Sequence, residues 1–122
     1  MKRFILTGTP GSGKTTIIRA LASAGYATVP EAATDVIAME QAQGNPEPWR
    51  SADFVDRIIA MQRQRQLEAS DGGALQFHDR APVCTYALAA FLGFAPSSML
   101  LEEMTRIERG AVFQKRVFFI EN

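Results

Sequence analysis

The residues best suited to chemistry stand close to the N-terminus, in the run Gly8-Thr9-Pro10-Gly11-Ser12-Gly13-Lys14-Thr15. Every fixed position of G-x-x-x-x-G-K-[ST] is filled, and the run lies between an apolar Phe4-Ile5-Leu6 and a segment with helical apolar spacing. Glycines at these places let the backbone curl so that the amides of Gly11 to Thr16 point inward, where the positive end of a following helix adds to their attraction for phosphate. Lys14 then supplies a point charge to the β- and γ-phosphates, and the Thr15 hydroxyl ligates Mg²⁺. The plain alternative is a glycine-rich turn whose lysine faces solvent, which requires the pattern and both flanks to coincide by accident. The spacing therefore predicts a site for a nucleoside triphosphate and Mg²⁺, built by Gly8, Gly11, Ser12, Gly13, Lys14, Thr15 and Thr16. No guanine-reading Asn-Lys-x-Asp occurs, which favours ATP, with GTP the alternative.

Acidic residues at the ends of apolar runs supply the remaining candidates. In an open parallel sheet, ligands sit beyond the carboxyl ends of the strands, and Glu31, Asp79 and Glu121 each follow such a run. Asp79 is favoured for the metal, with neighbouring Arg80 placed to meet a transferring or acceptor phosphate; the competing reading of Asp79 is a strand-end acid that caps the next helix. Glu31 suits the base that takes a proton from an acceptor hydroxyl, or else a first-turn glutamate that favours the helix dipole. Glu121 competes with Asp79 and ranks below it as a surface acid. His78 and Asp79 are adjacent in a strand and point to opposite faces, so the single histidine reads as packed or surface, not catalytic. Arg57, Arg63 and Arg65 suit either an anionic acceptor or a solvated helix face. Trp49 suits either stacking on a base or partial burial, and Cys84 and Tyr86 on core-like helical spacing are given no chemistry.

The elements that must position these groups follow from periodicity. Strand, loop and helix cover Phe4 to Ala24; a short strand Ala27-Thr28-Val29 ends at Pro30-Glu31. Helices are expected over 32–43, from about Ser51 or Asp53 to a stop at Asp71-Gly72-Gly73, from Pro82 to Gly93, and from Ser97 or Ser98 through Arg109. Ala74 to His78 and Val117 to Ile120 read as strands, the latter so uniformly apolar that burial on both faces is expected. Strands alternating with helices predict an α/β fold with a parallel sheet. With 122 residues, 47% of them hydrophobic, the chain reads as one globular domain able to hold a core. Thirteen basic residues balance thirteen acidic ones, so no global field favours nucleic acid or an anionic membrane, and phosphate binding must be local. One cysteine permits no intrachain disulfide, and no apolar run is long enough for a signal or a membrane span, so a cytoplasmic setting is expected.

Taken with the phosphate loop, the segments Val29-Pro30-Glu31-Ala32-Ala33, Asp79-Arg80 and Phe118-Phe119-Ile120-Glu121-Asn122 resemble the predicted-ATPase family with NadR-type AAA domains. That family is similar to nicotinamide riboside kinase and, more distantly, to nucleoside and nucleotide kinases. The resemblance covers nearly the whole chain. It implies a P-loop NTPase three-layer αβα sandwich with sheet order 2-3-1-4-5, the Asp79 strand lying beside the loop strand, and nucleotide at Lys14 and Thr15. Two departures stand out. Thr34 stands where relatives often carry a phosphate-binding arginine, and the chain stops at Asn122, before the arginine-bearing lid and fifth strand of relatives. The expectation is therefore order 2-3-1-4 without the fifth strand, a C-terminally shortened domain that binds nucleotide but turns it over slowly, and a last strand whose open apolar edge pairs with a second copy. The function that follows is a small-molecule kinase acting on an unidentified nucleoside, riboside or nucleotide acceptor through Lys14, Asp79, Glu31 and Arg80. A nucleotide-occupied regulatory module and a simple ATPase are the alternatives.

Overall fold

The computed structural model describes residues 1–9, 11–69 and 73–121. Pro10 of the loop, the Asp71-Gly72 helix stop and Asn122 lie outside the described residues. In chain order the elements are β1 (Lys2–Gly8), α1 (Lys14–Ser23), β2 (Ala27–Val29), α2 (Ala32–Ala42), a 3₁₀ turn (Pro48–Arg50), α3 (Asp53–Glu68), β3 (Leu75–Asp79), α4 (Pro82–Phe91), α5 (Ser98–Arg109) and β4 (Val117–Ile120). The four strands form one sheet in the order β2-β3-β1-β4, all neighbours parallel. This is the expected α/β fold with the expected order.

Register explains why the candidate residues meet. Leu6 lies opposite Asp79, Gly8 opposite Ile120, and Val29 opposite His78, so the carboxyl ends of all four strands reach one edge of the sheet. The loop after β1, Pro30-Glu31 after β2, and Arg80 after β3 therefore emerge side by side.

Helix boundaries follow local chemistry. Gly25, at φ 94°, takes the left-handed position just past α1 that a side chain with Cβ disfavours. Pro82 opens α4. Ser97 caps α5, its hydroxyl accepting from the Leu100 amide at 3.1 Å and donating to Asp56 of α3 at 2.5 Å, which ties the helix start to its neighbour. Among the described residues two buried clusters rest on α3, Phe54 and Ile58 packing with Ala32 and Val36 of α2 and Val55 and Ile59 with Ala89 and Leu100, while Ile5, Leu6 and Val29 are buried in the sheet. Neighbouring α3 residues thus face different helices, and α3 is the post around which α2, α4 and α5 are arranged.

Two expectations of burial, for β4 and for Tyr86, are corrected. The β4 side chains Val117, Phe118 and Phe119 are exposed, because among the described residues β4 packs chiefly against β1 and no helix lies closely over its faces. Tyr86 and Phe91 of α4 also face outward, the inward stripe being Pro82, Thr85 and Ala89. No residue of α1 is fully buried, although α1 touches β1 and β2. No described helix is long and apolar enough to cross a membrane.

Candidate phosphate-binding site

Between β1 and α1 the chain makes the turn the glycines predict. Gly11 and Gly13 have φ of 76° and 84°, a left-handed conformation that costs glycine little and other residues about 1–2 kcal/mol. Gly8 is needed for a different reason. A Cβ there would stand 2.7 Å from the Ile120 carbonyl oxygen and 2.8 Å from Ser12 Oγ, so the strand end and the loop close on each other only around a bare backbone. Gly13 immediately precedes α1 and no side chain caps the helix, which leaves the first-turn amides available to an anion. Ser12 is buried and its hydroxyl has no hydrogen-bond partner.

The loop walls a cavity of about 370 Å³ together with Thr9, Gly11, Ser12, Gly13, Lys14, Thr15, Glu31 and Arg80. Residues predicted from three separate segments are thus brought to one hollow. Larger hollows of about 860 Å³ between α3 and α5 and about 660 Å³ beside residues 107–116 lie elsewhere, and neither has an amide cradle of this kind.

Lys14, on the cavity wall, is gripped by two carboxylates, Glu31 of the same wall and Asp79 at the end of β3, which does not itself line the cavity. Its Nζ donates to Asp79 Oδ1 and, at 3.3 Å, to Glu31 Oε2. Arg80 Nη2 donates to the Gly8 carbonyl at 2.7 Å, while its Nε lies 3.5 Å from Glu31 Oε2, is buried and makes no hydrogen bond. Arg80 has φ 65°, costly for a residue with Cβ, and the same turn lets its amide donate to the Leu6 carbonyl at 2.9 Å. Arg80 thus combines a left-handed backbone with a buried Nε that makes no hydrogen bond, beside the phosphate loop.

Glu31 is the N-cap residue of α2, yet its side chain makes no capping bond. It turns away from the helix amides and into the cavity, where Thr34 donates to Oε1 at 2.9 Å. Its backbone is held from behind: Arg65 of α3 donates to the carbonyls of Pro30 and Glu31, each at 3.2 Å, and to Asp35 Oδ2 at 2.5 Å. Glu31 thus makes no capping hydrogen bond to α2, although its charge still stands at the positive end of that helix. Arg65 as a holder of Glu31 was not legible in the sequence, since nothing in its spacing marks a partner 34 residues away, whereas Thr34 stands only three residues on.

The other candidates fall outside. Glu121 is exposed and does not line the cavity. Arg57 pairs with Glu40, and Trp49 is partly exposed on the 3₁₀ turn. His78 is buried, with Nε2 2.6 Å from Gln76 Oε1 and its ring edge-on to Phe113. Burial, then the nearby Arg3 charge, lowers its pKa from 6.5 to about 4, so it is a neutral packed histidine near pH ~7.

The residues present suit Mg²⁺. Thr15 offers a hydroxyl on the cavity wall and Asp79 a carboxylate beside Lys14, an all-oxygen set for a hard cation that keeps water and phosphate oxygens as further ligands. Among the described residues no cluster of three or more His, Cys, Asp or Glu could hold a metal by itself.

A parallel 2-3-1-4 sheet with a glycine loop at the carboxyl end of its third-placed strand, leading into an uncapped helix, defines a P-loop nucleotide-binding domain. A family model described as an AAA domain, AAA_28, matches residues 3–122, and the chain belongs to this P-loop NTPase-type family. Membership implies binding of nucleotide and Mg²⁺ in general terms. No curated protein matches the chain.

Proposed function

We propose that the chain transfers the γ-phosphoryl group of ATP to a hydroxyl of a small molecule. The observation that carries this reading is Glu31, an N-cap carboxylate turned off its own helix and held in the phosphate cavity by Thr34 and Arg65. A domain that only stores nucleotide has no need of a fixed base there, whereas phosphoryl transfer to a hydroxyl does.

The roles follow from position. Lys14 leaves its carboxylates to meet the β- and γ-phosphates, with the loop amides around them. Thr15 and Asp79 would hold Mg²⁺, which when bound neutralises charge on those phosphates. Arg80 faces charge developing on the transferred group through its unfilled Nε. Glu31 orients the acceptor hydroxyl and takes its proton. ATP is preferred to GTP because the sequence has no guanine-reading Asn-Lys-x-Asp.

The test is ADP release by the folded chain with MgATP, with and without nucleosides, ribosides and their monophosphates. Release that depends on an acceptor supports the kinase. Equal release with and without every acceptor points to a simple ATPase, and tight binding without release points to a regulatory module.

A further inference from the structure

One face of the sheet carries a row of rings that runs from strand to strand and stops at an open edge. Tyr26, just before β2, meets Phe77 of β3 edge-on at 5.6 Å. Phe77 stacks on Phe4 of β1 at 5.8 Å, and Phe4 meets Phe118 of β4 at 5.7 Å. Among the described residues no strand stands beyond β4, so alternate amides and carbonyls of that strand point away from β1 with nothing to pair with. Its Val117, Phe118 and Phe119 are 41%, 39% and 58% exposed. The strand Val117–Ile120 holds neither charge nor proline, two of the devices that keep such an edge from pairing. Charge stands only at its ends: Lys115 and Arg116 precede it and Glu121 follows it, all exposed and, among the described residues, in no ion pair.

From this edge we infer that β4 pairs antiparallel with β4 of a second copy, about a two-fold axis that passes beside Phe118. An axis perpendicular to the sheet reverses strand direction and keeps the two faces matched, so only residues on the same face can stand opposite one another. With Phe118 at the axis, its ring meets its own counterpart, and the row of rings continues into the second sheet without a break. Val117 then stands opposite Phe119 of the second copy, and Lys115 opposite Glu121, a contact made twice by symmetry. Moving the axis to Phe119 would set Glu121 against apolar Val117. A parallel arrangement in register would set Lys115 against Lys115 and Glu121 against Glu121, which is destabilising. The ring row and the end charges therefore select the same register. The phosphate loops of the two copies, at the carboxyl ends of their β1 strands, then open at opposite ends of the joined sheet. Pairing thus leaves both open to nucleotide, and the inference stands whether or not the chain transfers phosphate.

The experiment is light scattering of the full chain across a concentration series, with amide hydrogen exchange measured at both ends of the series. The mass should rise to twice that of the chain, and exchange of the 117–120 amides should slow as it does. Lys115→Glu and Glu121→Lys each place two like-charged pairs across the axis, so each should raise the dissociation constant at least about tenfold. The double variant restores opposite charges and should return the constant to within about threefold of the parent. A monomer at every concentration overturns the inference, as does a dimer whose β4 amides exchange as fast as the monomer's. So does a dimer that the single reversals leave intact or that the double variant fails to restore. Should a reversed variant lose its fold by circular dichroism, the mass and exchange series on the parent decide alone.

Discussion

Replacing Asp79 with asparagine separates two effects that the lysine clasp joins. Lys14 Nζ donates to Asp79 and to Glu31, with side chains only 11% and 13% exposed for Lys14 and Asp79. Phosphate must break that clasp to recruit Lys14. A hydrogen bond to a charged group contributes about 1.5–3 kcal/mol when well shielded, and Glu31 still holds the ammonium after Asp79 is neutralised, so about 1.4 kcal/mol is the share expected to be released. Metal-free ATP should therefore bind Asp79→Asn about tenfold more tightly than the parent, helped further by loss of a negative charge beside the phosphates. Mg²⁺ should act in the opposite sense, because the carboxylate that helps hold it is gone, and the gain in affinity on adding Mg²⁺ should shrink. Calorimetric titration of ATP in EDTA and again in Mg²⁺ measures both. Glu121→Gln, exposed and outside the cavity, should change neither. Weaker metal-free binding by Asp79→Asn would refute the clasp, and an unaltered Mg²⁺ effect would return the metal assignment to Glu121.

Three more outcomes follow from the geometry. Thr15→Ala should lower the Mg²⁺ dependence of ATP binding more than metal-free binding, as read from the same paired titrations. Gly8→Ala forces a methyl to 2.7 Å from the Ile120 carbonyl, so it should lower stability by about 1–3 kcal/mol in urea unfolding, whereas unchanged stability would mean that the β4 end can move aside freely. His78 has its pKa lowered to about 4 in the fold, so the unfolded chain binds the extra proton in the window between that value and 6.5. Its contribution is present above the unfolded pKa and is lost as pH falls through this window, by about 2 kcal/mol between roughly pH 7 and pH 5. His78→Gln should flatten that part of the urea-stability profile, and a variant that keeps the parent's slope contradicts the assignment.

The phosphate loop was legible because its chemistry is local: three glycines, a lysine and a threonine fix both the turn and the ligand class within eight residues. The strand-helix alternation was legible for the same reason, and the resemblance supplied the β2-β3-β1-β4 order that the register confirms. Contacts made across the chain were not. Lys14 meets Glu31 and Asp79 at separations of 17 and 65 residues, and no periodicity encodes such a meeting. Arg80 gave no sign of its left-handed backbone, since residue type flags that conformation only for glycine, asparagine and aspartate. Arg65 on a polar helix face read equally well as a solvated arginine, and only the turn of α3 toward Pro30 decides otherwise. β4 was misjudged because continuous apolarity reports what a strand is suited to pack against, not which neighbours stand beside it.

The central claim is that Lys14 and the loop around it hold the phosphates of ATP, and a titration of MgATP against parent and Lys14→Ala tests it most directly. Circular dichroism should first show that the variant keeps its fold, since the substitution leaves Asp79 and Glu31 without their shared ammonium. The account predicts an affinity loss of more than about tenfold, at least about 1.4 kcal/mol. Equal affinities in a folded variant would contradict it.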